Sequence, residues 1–193
     1  MVCKKMSVEL STALQQIGLK AKSASAILNT ASSDQKNIFF EFAIQAIEED
    51  SDAILAANQL DIKAAQENNK DEAFIDRLAL DTSRLQGICN TLAEIKLFDD
   101  PVGRVLASWN RPNGLNISRV ATPLGVIGLI FESRPNVAAD AGGLCLKSGN
   151  AVILRSGKDG LRSSSAIVHS LQKALKLSGL PKGCIQIVPS ESR

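Results

Sequence analysis

Two unbroken apolar runs, separated by a segment long enough for a helix, constrain this chain more than anything else in it. Val126-Ile-Gly-Leu-Ile-Phe131 and Ala151-Val-Ile-Leu154 contain no polar side chain, and strands without alternation are those buried on both faces of a parallel sheet. Cys184-Ile-Gln-Ile-Val188 reads as a third strand. Val137, Ala141, Leu144 and Cys145 recur at helical spacing between the first two runs, as do Leu161, Val168, Leu171 and Leu175 between the second and third. Gly179 and then Pro181 close that second helix, glycine just past the end and proline shortly after. The rhythm predicts two right-handed crossovers, half of a doubly wound α/β domain. The chain stops soon after the third strand, at Val188-Pro-Ser-Glu-Ser-Arg193. A sheet edge and a helix-facing surface are therefore expected to lack cover, and the sequence reads as unfinished.

The first hundred residues read as helix after helix, with no proline before Pro101. From Asp34 to Asp50, apolar residues at Ile38, Phe39, Phe42, Ala43 and Ala46 share one face, and Phe40, Ile44 and Ile47 add a second. A helix apolar on nearly all sides is expected to be sandwiched between others. Asp81 or Ser83 to Phe98 repeats the pattern with Leu85, Ile88, Cys89, Leu92 and Ile95 behind a polar cap. After Pro101 and Gly103 the texture changes. Arg104 to Trp109 alternates, with Val105, Ala107 and Trp109 on one side, Asn110-Arg-Pro-Asn-Gly114 is a turn, and Leu115 to Ala121 returns as a second strand. A lone hairpin is marginal, so its apolar side is expected to rest on another part of the protein or on a second subunit.

Composition removes several function classes. The 22 Lys and Arg against 20 Asp and Glu leave a net charge of +2, without the basic excess that nucleic-acid binding needs. No apolar run reaches membrane-spanning length and no signal-peptide core follows the N-terminus, so the expected location is the cytoplasm. Cys3, Cys89, Cys145 and Cys184 share no CxxC spacing, and His169 is the single histidine. Zinc and disulfides are poor readings, and each cysteine is taken as a small buried or incidental thiol.

Open parallel sheets bind ligands at the carboxyl ends of their strands. The turn after the first strand is Glu132-Ser-Arg-Pro-Asn136, with Pro135 suited to a first helical turn whose N–H groups can face an anion; capping with a surface ion pair explains the same residues equally well. The turn after the second strand is Arg155-Ser-Gly-Lys-Asp159, where two cations flank a hydroxyl and a glycine. Such a turn suits a phosphate ester, and a solvated loop accounts for it as readily. No Gly-x-Gly-x-x-Gly is present, so pattern alone does not name a cofactor.

The run Pro123-Leu-Gly-Val-Ile-Gly-Leu-Ile-Phe-Glu-Ser-Arg-Pro-Asn-Val137, continued by Leu144-Cys-Leu-Lys-Ser-Gly-Asn-Ala-Val-Ile-Leu-Arg155, resembles the signature of the glutamate-5-semialdehyde dehydrogenase (γ-glutamyl phosphate reductase) family, a branch of the aldehyde dehydrogenase superfamily. Asp76-Arg-Leu-Ala-Leu80, Asp99-Asp-Pro-Val-Gly103 and Gly179-Leu-Pro-Lys-Gly183 are similar pieces, so the resemblance spans nearly the whole chain in order.

The resemblance implies an N-terminal portion with three parts: a helical segment over 1–100 packing on the cofactor domain, a β-hairpin over 101–122 at a subunit contact of a homo-oligomer, and over 123–193 the first half of a Rossmann-like NADP-binding domain. It implies that Ile130, Phe131, Glu132 and Ser133 lie along the cofactor. Ser133 stands where general aldehyde dehydrogenases carry the asparagine of their oxyanion hole. Arg155, Ser156, Gly157 and Lys158 belong to the cofactor turn; Arg155 replaces a ribose-contacting lysine and Lys158 an acidic residue that holds the ribose 2′-hydroxyl in NAD enzymes, which favours a 2′-phosphate. Arg134 and Asn136 are particular to this branch and are expected to hold the substrate, glutamyl phosphate. The implied reaction, in proline synthesis, begins with a cysteine thiolate attacking the acyl phosphate; the resulting thioester is reduced by hydride from NADPH. Neither Cys145 nor Cys184 matches the nucleophile's position, so the chain by itself is expected to be inactive. The alternative is a noncatalytic dinucleotide-binding or interaction module.

Overall fold

The computed structural model describes residues 2–189, with side chains from Thr12 onward; the Cys3 thiol and the last residues of the expected unfinished end lie outside the described residues. Helices come first: α1 (Val2–Leu28), α2 (Ser33–Glu49), α3 (Ser51–Glu67), α4 (Glu72–Leu78) and α5 (Thr82–Leu97). Three begin with a polar cap that satisfies an otherwise unpaired backbone N–H. Ser32 accepts from Gln35 N–H at 3.1 Å, Asp71 from Phe74 N–H at 2.6 Å and Asp81 from Arg84 N–H at 2.7 Å.

Helix α5 buries Leu85, Ile88, Cys89, Leu92 and Ile95, the five residues expected from spacing. Helix α2 is sandwiched as its composition predicts, between α5 and the α7 helix (Leu161–Leu177), with further contact to α3 and to α6 (Val137–Lys147). The residues doing this differ in part from expectation. Phe39, Phe40, Ala43, Ala46 and Ile47 are buried, but Ile38 is 42% exposed. It shares a stripe with exposed Glu41, Gln45 and Glu48, and that side of the helix meets solvent. Phe39 and Phe40 meet edge to face at 5.2 Å.

The hairpin forms as expected. Strands β1 (Val105–Asn110) and β2 (Asn116–Val120) pair antiparallel, with Trp109 opposite Ile117 and an irregularity between Val105 and Ala107. Gly114, at φ 85°, turns the chain in the left-handed region that a side chain disfavours. The apolar side finds no cover within the described residues: Val105, Leu106, Trp109, Ile117 and Val120 are all exposed.

The parallel sheet has the order β3 (Val126–Phe131), β4 (Ala151–Ser156), β5 (Ile185–Ile187). Helices α6 and α7 pack on one another and on β4 and β5, while α1 also packs along β4, so the central strand is buried almost throughout. β3 departs from the reading of a strand buried on both faces. Ile127, Leu129 and Phe131 pack against the core, whereas Val126 and Ile130 are exposed, Ile130 at 80%. It is an edge strand of this sheet, paired on one side by β4, and α1 and α6 cover it less than they cover β4. Leu144 of α6 is likewise exposed, on a stripe with Asp140 and Ser148; Ala138, Ala139, Ala141, Cys145 and Leu146 are buried in its place. Cys184 belongs to a 3-10 turn, Lys182–Cys184, that precedes β5.

Polar seams tie the helical segment to α6 and α7, the helices that pack on the sheet. Asp61 of α3, fully buried, accepts from the N–H and hydroxyl of Ser163 at 2.8 and 2.6 Å and pairs with Arg162 at 3.2 Å, so a carboxylate from α3 caps the first turn of α7. Asn58, one turn earlier, donates to Leu78 O at 2.8 Å and accepts from Leu80 N–H at 2.7 Å. Lys36 pairs with Asp100 at 2.8 Å, and Lys147 donates to Asn37 Oδ1 and to Lys96 O. Helices α2, α5 and α6 are thereby fixed together at one end.

Candidate active site

The chain leaves β3 through Phe131 and Glu132 and turns sharply at Ser133, whose φ of 49° places a non-glycine residue in the left-handed region. That conformation costs on the order of 1 kcal/mol and is maintained by its surroundings. It also separates two cavities. Residues up to Ser133 line one of them, and residues from Arg134 line the other.

The first cavity, of about 400 Å³, lies at the carboxyl ends of β3 and β4. Ile130, Phe131, Glu132 and Ser133 form one side, and Arg155, Gly157 and Lys158 face them. Gly157 N–H donates to Phe131 O at 2.8 Å, which fixes the two turns to each other. A Cβ on Gly157 would lie 3.4 Å from the Glu132 side chain, so a side chain there would occupy the cavity wall. Ser156, grouped with these residues from the sequence, points inward: it is buried, and its hydroxyl donates to Gly157 O at 2.9 Å. Lys158 is exposed and forms no ion pair within the described residues, while Asp159 pairs with Lys70 at 3.6 Å.

Lys70 and Phe74 complete this cavity, and sequence reasoning missed both. Lys70 stands 4.6 Å from the centroid of the Phe74 ring, within cation–π range. Lys70 lies in the connection between α3 and α4 and Phe74 in the first turn of α4, and no motif connects them with a strand end more than fifty residues away.

The second cavity, of about 440 Å³, is bounded by α4, the start of α5 and the entry to α6. Arg134 and Asn136, the expected substrate residues, line it together with Asp76, Arg77, Arg84 and Asp140. Arg84 has its counter-charge within the protein: it pairs with the Asp76 carboxylate at 2.6 Å and donates to the carbonyls of Asp76 and Ala79. Asn58 holds the same wall from behind through Leu78 and Leu80. Asp140 accepts from Asn136 Nδ2 at 2.9 Å; burial pushes its carboxyl above the ordinary value, and the Asn136 bond offsets part of the rise. Asp140 lies one helical turn after Asn136, a spacing that could have drawn attention to it. At the start of α6, Val137 N–H donates to Arg134 O and Ala138 N–H to Pro135 O, both at 3.1 Å, so the turn itself consumes these two donors.

The described cysteines are poor nucleophiles. Cys89, Cys145 and Cys184 are buried, and burial pushes all three thiols up, Cys184 to about 12. Among the described residues no helix is long and apolar enough to cross a membrane.

No protein-family model matches the chain. Curated relatives do. Gamma-glutamyl phosphate reductase of Brucella suis biovar 1 is 50% identical over 188 residues, 97% of this chain and 45% of that protein. The protein of the same name from Bartonella tribocorum is 51% identical over 177 residues, 92% of this chain and 43% of its own length. The chain thus spans less than half the length of the curated relatives it matches. Among solved structures, gamma-glutamyl phosphate reductase of Thermotoga maritima superposes with a TM-score of 0.91 at 37% identity, over 93% of this chain and 44% of that one. A probable aldehyde dehydrogenase from Listeria monocytogenes, at 15% identity and a TM-score of 0.69 over 96% of this chain and 38% of that one, shares the fold. Along nearly its whole length, this chain is similar in sequence and in fold to less than half of a gamma-glutamyl phosphate reductase, within the wider aldehyde dehydrogenase fold.

Proposed function

We propose that the full-length protein carrying this chain catalyses the NADPH-dependent reduction of L-glutamyl 5-phosphate to L-glutamate 5-semialdehyde and phosphate. The observation that carries this reading is the turn at Ser133, which puts a cavity at the strand ends beside a second cavity rich in ionic side chains. One suits a nucleotide and the other a small charged substrate, with the reacting groups meeting at the turn between them. The likeness to gamma-glutamyl phosphate reductases at about half identity supports the choice of substrate.

The residues present fit a nicotinamide dinucleotide carrying a 2′-phosphate. Gly157 leaves the wall open where a Cβ would stand, and Lys158 offers a cation that no carboxylate of the described residues neutralises. Lys158 and Arg155 hold the 2′-phosphate, and Ile130 and Phe131 supply apolar surface beside the nucleotide. NADPH, when bound, supplies the hydride. Arg134 and Asn136 orient the acyl phosphate substrate, and Ser133 stands on the side where negative charge develops on the carbonyl oxygen. The buried thiols of Cys89, Cys145 and Cys184 take no part.

The test supplies the full-length protein with glutamate 5-semialdehyde, phosphate and NADP and follows formation of reduced cofactor. Reduction that depends on phosphate is expected. Reduction independent of phosphate, or dependent on NAD alone, would overturn the reading. Loss of NADP binding without any turnover in either direction would do so as well.

A further inference from the structure

The ionic side chains of the second cavity are unevenly matched. Arg84 and Asp76 neutralise one another at 2.6 Å, and Nη1 of Arg84 donates to two backbone carbonyls. Two guanidinium groups, Arg77 and Arg134, then line the cavity without a carboxylate partner among the described residues. One carboxylate, Asp140, lines it with an amide as its bonded neighbour and no cation. Half-buried, it has lost part of its hydration and gained one neutral hydrogen bond in exchange. A ligand that completes this set has one positive and two negative groups.

We propose that Asp140 recognises the α-ammonium group of an amino-acid substrate, with Arg77 and Arg134 on its anionic groups. The assignment rests on the function proposed above and deepens it, since L-glutamyl 5-phosphate carries one ammonium, one carboxylate and one acyl phosphate. Asp140 supplies what a purely cationic cavity does not: a reason to reject the deaminated analogue. A dicarboxylic acyl phosphate without the ammonium satisfies both guanidinium groups, yet leaves the Asp140 carboxylate half-buried and unpaired beside added negative charge. Its place on α6 makes it rigid. Asn136, one turn before it, holds the carboxylate at 2.9 Å and also lines the cavity, so the pair forms a fixed acceptor.

The experiment measures calorimetric binding of L-glutamate and of glutarate, which lacks the amino group, to the full-length protein and to Asp140→Asn and Asp140→Glu. The native protein is expected to prefer L-glutamate by about tenfold or more, the range of a charge-assisted hydrogen bond. Asp140→Asn should abolish that preference by weakening L-glutamate and leaving glutarate as tight or tighter, and Asp140→Glu should retain part of it. Equal binding of the two probes by the native protein would overturn the assignment. So would an equal loss of both in Asp140→Asn, which marks a structural role. Because these probes need no turnover, head-group discrimination can succeed where the phosphate-dependent reduction fails, and the two readings fall separately.

Discussion

Lys158 and Asp100 show how the same ingredient, a charge beside an opposite one, serves two ends at the scale of single residues. Lys158 forms no ion pair among the described residues and stands exposed on a cavity wall. Its proposed partner is a phosphate. Lys158→Glu in the full-length protein should therefore weaken use of NADPH by about tenfold or more, with a smaller loss for NADH; equal losses in steady-state kinetics would remove the assignment. Asp100 has its partners already. Burial pushes its carboxyl up, but bonds from Lys36, from Val102 N–H and from Ser33 outweigh it, and the net position lies below the ordinary 3.8. A depressed folded value means stability that is fully present above the unfolded pKa and is lost as pH falls through the folded one. Asp100→Asn leaves the Lys36 ammonium, 1% exposed, without its counter-charge. A loss of about 3 kcal/mol at neutral pH is expected in urea unfolding, together with a weaker dependence of stability on acid.

Among the elements, α1 illustrates what pairwise packing requires. Its backbone lies so close to the turn before β5 that a Cβ on Gly183 would meet Lys20 O at 2.6 Å and Ala24 Cβ at 3.0 Å. Backbone does not yield as a flexible side chain does. Gly183→Ala should displace α1 from the sheet and cost about 1–3 kcal/mol, with raised hydrogen exchange along α1; unchanged exchange there would show that the contact is slack. Helix α6 faces the same demand from the other side, since Gly143 has Leu92, Phe40 and Ile95 within 3.1–3.3 Å of where a Cβ would be. Elements α5, β4 and α7 were legible in the sequence because period and burial agree along them. β3 and α6 were legible as elements but not in their exposure. An apolar run and a helical spacing state which residues can be buried; which of them are depends on the neighbours present.

At the scale of the whole molecule, apolar surface without cover is the dominant feature. Val126 on β3 and the hairpin residues Leu106, Trp109 and Ile117 are exposed, as is the β3 edge of the sheet among the described residues. Surface of this kind marks an interface. We expect the hairpin to lie between subunits and the full-length protein to be a homo-oligomer. Trp109→Asp should shift light scattering toward the monomer while leaving the circular dichroism of the helices unchanged. A native protein that scatters as a monomer would refute this.

The sequence by itself determined that helices precede the hairpin and the parallel strands, the buried residues of α5, the hairpin and the turn after β3; it read Arg155 and Ser156 as a turn, whereas they end β4. The features it determined follow from local causes, from period, caps and breakers, which act within a few residues. It also carried the resemblance that the relatives bear out. Only the tertiary structure brought Lys70 and Phe74 to the ends of β3 and β4, set Asp76, Arg77 and Arg84 across from Arg134 and Asp140, and divided the two cavities at Ser133. Those contacts join residues tens of positions apart, and their placement depends on how α3 and α4 dock against the start of α7 through Asn58 and Asp61. A local pattern holds no information about that docking, because the free energy that fixes it arises when the two surfaces meet.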